Sequence, residues 1–317
     1  MPEKLERRIP DSLDRQRFDR AMATLFPDYS RSQLKAWIER GRARLDGEVV
    51  RPRLVVRAGQ LAELEPEADP DDGTVLPQAM ALDVRFADAD LVVIDKPPGL
   101  VVHPGAGNPD GTLENALLHH FPEVAAVPRH GLVHRLDKDT SGLLLVARSS
   151  RAHQALTAAL AERRIKRQYR ALVIGRLPAG GKVDAPIARH PVQRKRMAVR
   201  EQGRPAITHY RVRERFARHS LLDVHLETGR THQIRVHMAH MRHPLVGDPV
   251  YGRRPVFPSG ASDALQKMLG EFPRQALHAA RLELDHPVTG EPMVIDSDLP
   301  QDFTRLLDAL RQEAGND

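Results

Sequence analysis

Nine consecutive residues, His134-Arg135-Leu136-Asp137-Lys138-Asp139-Thr140-Ser141-Gly142, place two carboxylates, three bases and two hydroxyls just before the apolar run Leu143 to Ala147. A carboxylate there can serve as a covalent nucleophile or a general base. A buried strand behind it would fix the backbone while the loop reaches a cleft. Read without function, the same residues are a polar loop. The second segment is Gly229-Arg230-Thr231-His232-Gln233-Ile234-Arg235-Val236-His237. Thr231 is expected to cap a helix whose apolar face uses Ile234, Met238 and Met241, with Arg235 projecting from its first turn toward a carboxylate supplied elsewhere. Periodicity alone equally allows an exposed helix start with basic side chains.

Other chemistries fit less well. Asp137 and Asp139 are paired carboxylates of the kind that run glycosidic hydrolysis, but two acids on one turn straddle a sugar bond poorly. The run His103 to Gly111 precedes an apparent helix, yet its third glycine comes one position too late for GxGxxG, and Gly175 to Lys182 lacks the lysine and hydroxyl of a phosphate loop. His232, His237, His240 and His243 cluster without HExxH or carboxylates at ligand spacing, so no metal is expected. No GxSxG elbow is present. With no cysteine, thiol nucleophiles, iron–sulfur clusters and thiolate zinc sites are excluded. The available nucleophiles are carboxylates.

Elements of several kinds must position these groups. Strand patterns fall at Leu91 to Asp95, Leu143 to Ala147, Tyr169 to Gly175, Ala206 to Val212 and Leu221 to Glu227. Helical spacing marks Ser150 to Arg164 and the stretch holding Phe303, Leu306, Leu307 and Leu310. Irregular alternation of the two favours an α+β fold. Upstream, Phe18, Ala21, Met22 and Leu25 form one helical stripe ended by Pro27; Ser30 and Gln33 stand at capping-box spacing before Leu34, Trp37 and Ile38. Asp46-Gly47 suits a hairpin turn, and Val55 to Leu61 is expected to add a strand. Arg31, Lys35, Arg40, Arg42 and Arg44 then crowd into a basic patch facing only Glu39 and Asp46, although a charge run is ordinarily a solvated face. The acidic, Pro-containing stretch Glu65 to Gly73 reads as a mobile linker.

At 317 residues the chain has room for a large domain and a small one. Its 41% hydrophobic and 28% charged content is that of a soluble globular protein. No apolar run approaches the roughly 20 residues of a membrane span, and the charged N-terminus carries no secretion signal. Cytoplasm and a monomer are the expectations. The net charge of +6 and pI near 9.8 favour a polyanionic partner.

The strings VIDKPPGLVVHPGAGNPDGT, HRLDKDTSG and GRTHQIRVHMAHMRHPLVGDPVYG follow one another in this order and resemble motifs of the RluA-type pseudouridine synthases, from about Leu91 to the end of the chain. The two helices and hairpin over about residues 15 to 75 resemble the S4 RNA-binding fold. Together these resemblances imply a flexible N-terminus at 1–14, an S4-like α/β RNA-binding domain at 15–75 and a catalytic domain at 76–317 with a central, mainly antiparallel sheet. They imply an isomerase that breaks the N1–C1′ bond of uridine and rejoins the base through C5, with no cofactor or metal. The implied partner is 23S ribosomal RNA, in its helix 69 region. Asp137 is then the attacking carboxylate, acting at ribose C1′ or by a glycal route, and Arg235 the arginine that pairs with it and holds its orientation. Tyr169 stacks on the displaced uracil and assists removal of the C5 proton; its plainer reading is a half-buried strand aromatic. Arg135 enters the RNA stack where the uridine was. Arg31, Lys35, Arg40, Arg42 and Arg44 would hold RNA from the S4 module. The alternative is a noncatalytic S4-type ribosomal RNA-binding or ribosome-assembly factor, against which the joint presence of Asp137, Tyr169 and Arg235 argues.

Overall fold

The computed structural model describes residues 4–27, 29, 31–66, 75–105, 107–194, 196–252 and 254–314. The chain divides into two units, residues 1–74 and 75–317, each with its own apolar core. Ser30 of the expected capping box and residues 67–73 of the expected linker lie outside the described residues.

In the first unit β1 (Leu5–Arg8), α1 (Phe18–Leu25), α2 (Arg31–Glu39), β2 (Ala43–Leu45), β3 (Glu48–Val49) and β4 (Leu61–Leu64) follow in order. The strands form an antiparallel sheet in the order β1-β4-β2-β3. Phe18, Ala21 and Met22 of α1 and Leu34, Trp37 and Ile38 of α2 pack on the sheet's Ala43, Leu45, Ala62 and Leu64. Between β2 and β3, Asp46 and Gly47 both take left-handed backbone (φ 52° and 84°), as a two-residue hairpin requires. The Asp46 carboxylate accepts from Leu61 N at 2.8 Å, tying that turn to β4.

Two expectations fail here. Residues 5–14, expected as part of a flexible lead, pair with β4 through β1 and bury Ile9 and Leu13. Leu5-Glu6-Arg7-Arg8 carries no apolar alternation because this edge strand is held by backbone hydrogen bonds with three of its four side chains exposed. The strand expected at Val55 to Leu61 begins only at Leu61, since Gly59 (φ 85°) turns the chain just before it.

The second unit runs β5 (Asp83–Ala87), β6 (Leu91–Lys96), α3 (Leu113–His120), β7 (Ser141–Ala147), α4 (Ser150–Ala161), β8 (Lys166–Ile174), β9 (Gly181–Asp184), β10 (Ile187–Arg189), β11 (Met197–Val199), β12 (Ile207–Arg215), β13 (His219–Leu226), α5 (Gln233–His240), α6 (Asp263–Gly270), β14 (Leu277–Asp285), β15 (Pro292–Asp296) and α7 (Gln301–Ala314). Its main sheet has the order β5-β6-β7-β14-β8-β13-β12-β9, with β15 also on β14. Every pairing is antiparallel except β7 with β14.

β7 is buried along its whole length. Leu144 and Val146 point into the core that holds Tyr169, Leu136, Ile234 and Met238, while Leu143, Leu145 and Ala147 pack on the other side with Ala152 and Leu156 of α4. Each fully buried Leu or Val contributes about 1.5–3 kcal/mol, so the strand is a rigid mount. Gly142 (φ 107°) lies against β14 so closely that a Cβ would stand 2.2 Å from Ala279 O. Only glycine lets the loop enter the strand there.

Candidate active site

Asp137 sits on the turn leading into β7, and the turn is held from behind. Thr140 N donates to Asp137 O at 3.0 Å and Gly99 N to Lys138 O at 3.0 Å. The Lys96 ammonium, fully buried, donates to Lys138 O (2.8 Å), Pro97 O (2.8 Å) and Leu100 O (2.9 Å). Burial draws its pKa down to about 7, against the pull of Asp139 and Asp137. Arg274 donates to Asp139 O at 3.2 Å while its fork grips Asp302 of α7 at 2.7 and 2.8 Å. Leu136, 4% exposed, plugs the turn into the core. The Asp137 carboxylate is left facing a cavity.

Arg235 comes from the first turn of α5, as the spacing predicts, but the helix starts differently. His232, not Thr231, is the N-cap, in left-handed conformation (φ 56°, ψ 23°) and without a side-chain cap bond. The Gln233 carboxamide ties the preceding loop to β12: its oxygen accepts from Arg230 N (3.0 Å) and Thr228 Oγ1 (2.8 Å), and its nitrogen donates to Ile207 O and Thr208 Oγ1, both at 3.0 Å. Ile234 and Met238 are buried as expected.

The Arg235 guanidinium bridges two carboxylates. Nη1 donates to Asp137 Oδ2 at 3.0 Å, while Nε and Nη2 donate to the two oxygens of Asp248 at 2.8 and 2.9 Å. Asp248, whose carboxylate is fully buried, also accepts from Val250 N and Tyr251 N. Burial opposes both charges, yet the hydrogen bonds and mutual attraction override it, raising the pKa of Arg235 and lowering that of Asp248. Tyr251 lies under the guanidinium, its ring centre 5.1 Å from Cζ, and its hydroxyl pairs with His232 Nδ1 at 2.8 Å. Asp248 was missed by sequence reasoning because nothing local distinguishes a buried aspartate from a turn residue before Pro249.

A cavity of about 500 Å³ opens beside this pair, lined by Asp137, Arg235, Tyr169, Arg135, Leu136 and His134 among others. That is the size range of small-ligand pockets, roughly 300–1,000 Å³. Tyr169 is 5% exposed, and burial raises its phenol pKa, so the ring enters as a neutral platform. Arg135 is exposed at the rim. His134 Nε2 accepts from Leu145 N at 2.9 Å; burial, helped by Arg167, pulls its pKa to about 3 and keeps it neutral. Among the described residues no group of three or more His, Asp or Glu side chains could hold a metal ion. His237 is instead bonded to Thr208 Oγ1 and Ala185 O, and His243 to Ile174 O.

The RNA pseudouridylate synthase family model matches residues 90–240, and that of the S4 domain residues 16–61. The proteins named Ribosomal large subunit pseudouridine synthase D from Xanthomonas campestris and Pseudomonas aeruginosa are 54% and 55% identical to the chain. Each alignment covers 96% of this chain, with 92% and 95% of the respective relative. The chain belongs to the RNA pseudouridylate synthase family. The solved structure of Human RNA Pseudouridylate Synthase Domain Containing 4 superposes with a TM-score of 0.57 at 26% identity, over 72% of this chain and 93% of that one. Human RNA Pseudouridylate Synthase Domain Containing 1 gives 0.54 at 25%, over 74% and 96%. This pseudouridylate synthase therefore has an α+β catalytic fold with a mostly antiparallel sheet, after an S4 domain in the chain.

The S4 residues are arranged otherwise than their spacing suggested. Arg31 and Lys35 line a cavity of about 580 Å³ with Arg17, Arg51 and Arg53, alongside Asp19 and Glu39. Arg40, Arg42 and Arg44 are not among its lining residues; Arg42 pairs with Glu65 at 3.6 Å and Arg44 lies on β2. These charges fall on different elements, because α2 ends at Glu39 and the chain turns into β2. Arg51 and Arg53 were missed, lying beyond the hairpin with no periodic pattern of their own.

Proposed function

We propose that this pseudouridylate synthase isomerises uridines of large-subunit ribosomal RNA, in the helix 69 region of 23S RNA, with Asp137 as nucleophile and without a cofactor. The observation that carries this reading is the 3.0 Å contact of Arg235 with Asp137 in a nucleotide-sized cavity that Tyr169 also lines. Uridine must leave the stack to enter such a cavity. The N1–C1′ bond breaks, the base turns and C5 bonds to C1′; the C5 proton leaves and N1 gains one, so nothing is consumed. Direct attack at C1′ and a glycal route both use this carboxylate in this position. Arg235 fixes the orientation of Asp137 and is itself fixed by Asp248. Tyr169 offers the base a stacking face, and Arg135 at the rim suits the gap left in the RNA stack. The S4 domain's basic cavity supplies phosphate contacts that position the RNA without reading its sequence.

One chain brings Asp137, Tyr169 and Arg235 together, which supports action as a monomer, and the basic, cysteine-free composition suits a cytoplasmic RNA partner. No described helix is long and apolar enough to cross a membrane. Pseudouridine mapping by carbodiimide labelling of ribosomal RNA, in cells deleted for the protein, tests the reading. The expected result is loss of modification in the helix 69 region, restored by the wild-type chain. An unchanged modification pattern would overturn it.

A further inference from the structure

We infer that Arg167 binds a phosphodiester of the RNA strand inside the active-site cavity, anchoring the ribose-phosphate of the extruded nucleotide while its base turns. The inference rests on the functional reading above and adds a residue and a ligand group to it. Arg167 and Tyr169 stand two residues apart on β8, so their side chains share one face of the strand, and both line the cavity with Asp137. Six arginines and only two carboxylates line that cavity. Both carboxylates are engaged: Asp137 with Arg235, and Glu227 with Arg163 and His209. Arg167 makes no hydrogen bond or ion pair among the described residues, and its Nε is buried with no partner. Gly229 leaves the fork its space, since a Cβ there would stand 3.0 Å from Arg167 Nη1.

A half-buried guanidinium without an acceptor is unfavourable until an anion arrives. RNA carries that anion at every linkage, and the planar fork matches phosphate geometry. A uracil carbonyl is a poorer match. It is neutral, and it must let go when the base detaches and turns. A phosphate stays bonded to the ribose throughout, so a contact to it keeps C1′ beside Asp137 during the exchange.

The test measures binding of a 23S RNA fragment spanning helix 69, as a function of salt, by wild type, Arg167→Gln, Arg167→Lys and the surface control Arg305→Gln. Arg167→Gln is expected to weaken binding about tenfold and to lower the slope of log K against log salt by about 0.7, the loss of one single-strand phosphate contact. Arg167→Lys should keep most of the slope, and Arg305→Gln all of it. A neutral methylphosphonate placed at the target nucleotide should weaken wild type about as much and should not weaken Arg167→Gln further. The inference is overturned by an unchanged slope in Arg167→Gln, or by methylphosphonates on both sides of the target that leave wild-type affinity intact. The second arm decides the matter even where Arg167→Gln fails to fold. Isomerisation of the same fragment by wild type is scored separately: its absence refutes the functional reading, whereas its presence with an unchanged slope refutes only the role of Arg167.

Discussion

Asp248→Asn isolates the support behind the proposed catalytic pair, because Asp248 is held by Arg235 Nε and Nη2 while Asp137 is held by Nη1, and the Asp248 carboxylate is fully buried. The carboxamide oxygen, at the Oδ1 position, can still accept from Val250 N, Tyr251 N and Arg235 Nη2, but the NH2 in place of Oδ2 then faces Arg235 Nε, donor against donor. Breaking a buried ion pair by removing one partner costs about 3–5 kcal/mol. Arg235 keeps its 3.0 Å bond to Asp137, so the lower end, about 3 kcal/mol, is expected in urea unfolding. The guanidinium loses its Nε bond, one of its three carboxylate hydrogen bonds, together with the charge that held it, and swings with Asp137. A displacement on the order of 1 Å at the reacting group costs about a hundredfold in rate. Single-turnover pseudouridine formation at saturating RNA, well below the melting temperature, should therefore fall by about two orders of magnitude with RNA affinity little changed. A folded Asp248→Asn variant with a rate within about twofold of wild type would refute this reasoning.

Gly142→Ala should cost at least about 3 kcal/mol, visible as a lowered urea midpoint or loss of soluble protein, because the methyl group meets Ala279 O at 2.2 Å on a left-handed backbone. His134 supplies an acid-sensitive share of stability. It is neutral in the fold with a pKa near 3 and near 6.5 when unfolded, so its contribution is complete above pH 6.5 and is lost as pH falls from there toward 3. At about pH 5 the loss is at most about 2 kcal/mol, and His134→Gln should remove that share of the pH dependence in parallel unfolding curves. Arg31→Ala combined with Arg51→Ala should raise KM for RNA roughly tenfold and flatten its salt dependence; unaltered KM and slope would remove the S4 cavity from the RNA-binding surface.

Residue type and position in the sequence drew attention to the Asp137 loop and to Arg235, while Tyr169 and the roles of all three came from the resemblance to the RluA-type pseudouridine synthases; the three side chains line one cavity. The mount was legible too: Leu143 to Ala147 is an unbroken apolar run, and it became the most buried strand. What escaped were charges whose partners are remote. Lys96 ends a buried strand, Arg274 meets Asp302 on the last helix, and Asp248 meets Arg235; each is set by tertiary packing, and none leaves a local pattern. The mistaken cap at Thr231 has a related cause. The left-handed turn at His232 starts the helix one residue beyond Thr231 and without a side-chain cap, which the usual preference for Ser or Thr does not foresee. β1 was missed because an edge strand held by backbone bonds requires no apolar alternation.

Asp137→Asn provides the most direct measurement of the central claim. The amide keeps the shape of the carboxylate and removes its charge, so RNA affinity should remain within a few-fold of wild type while pseudouridine formation in 23S RNA, read by carbodiimide labelling and primer extension, drops to background. Wild-type levels of pseudouridine from the purified variant would contradict the assignment of Asp137 as the nucleophile.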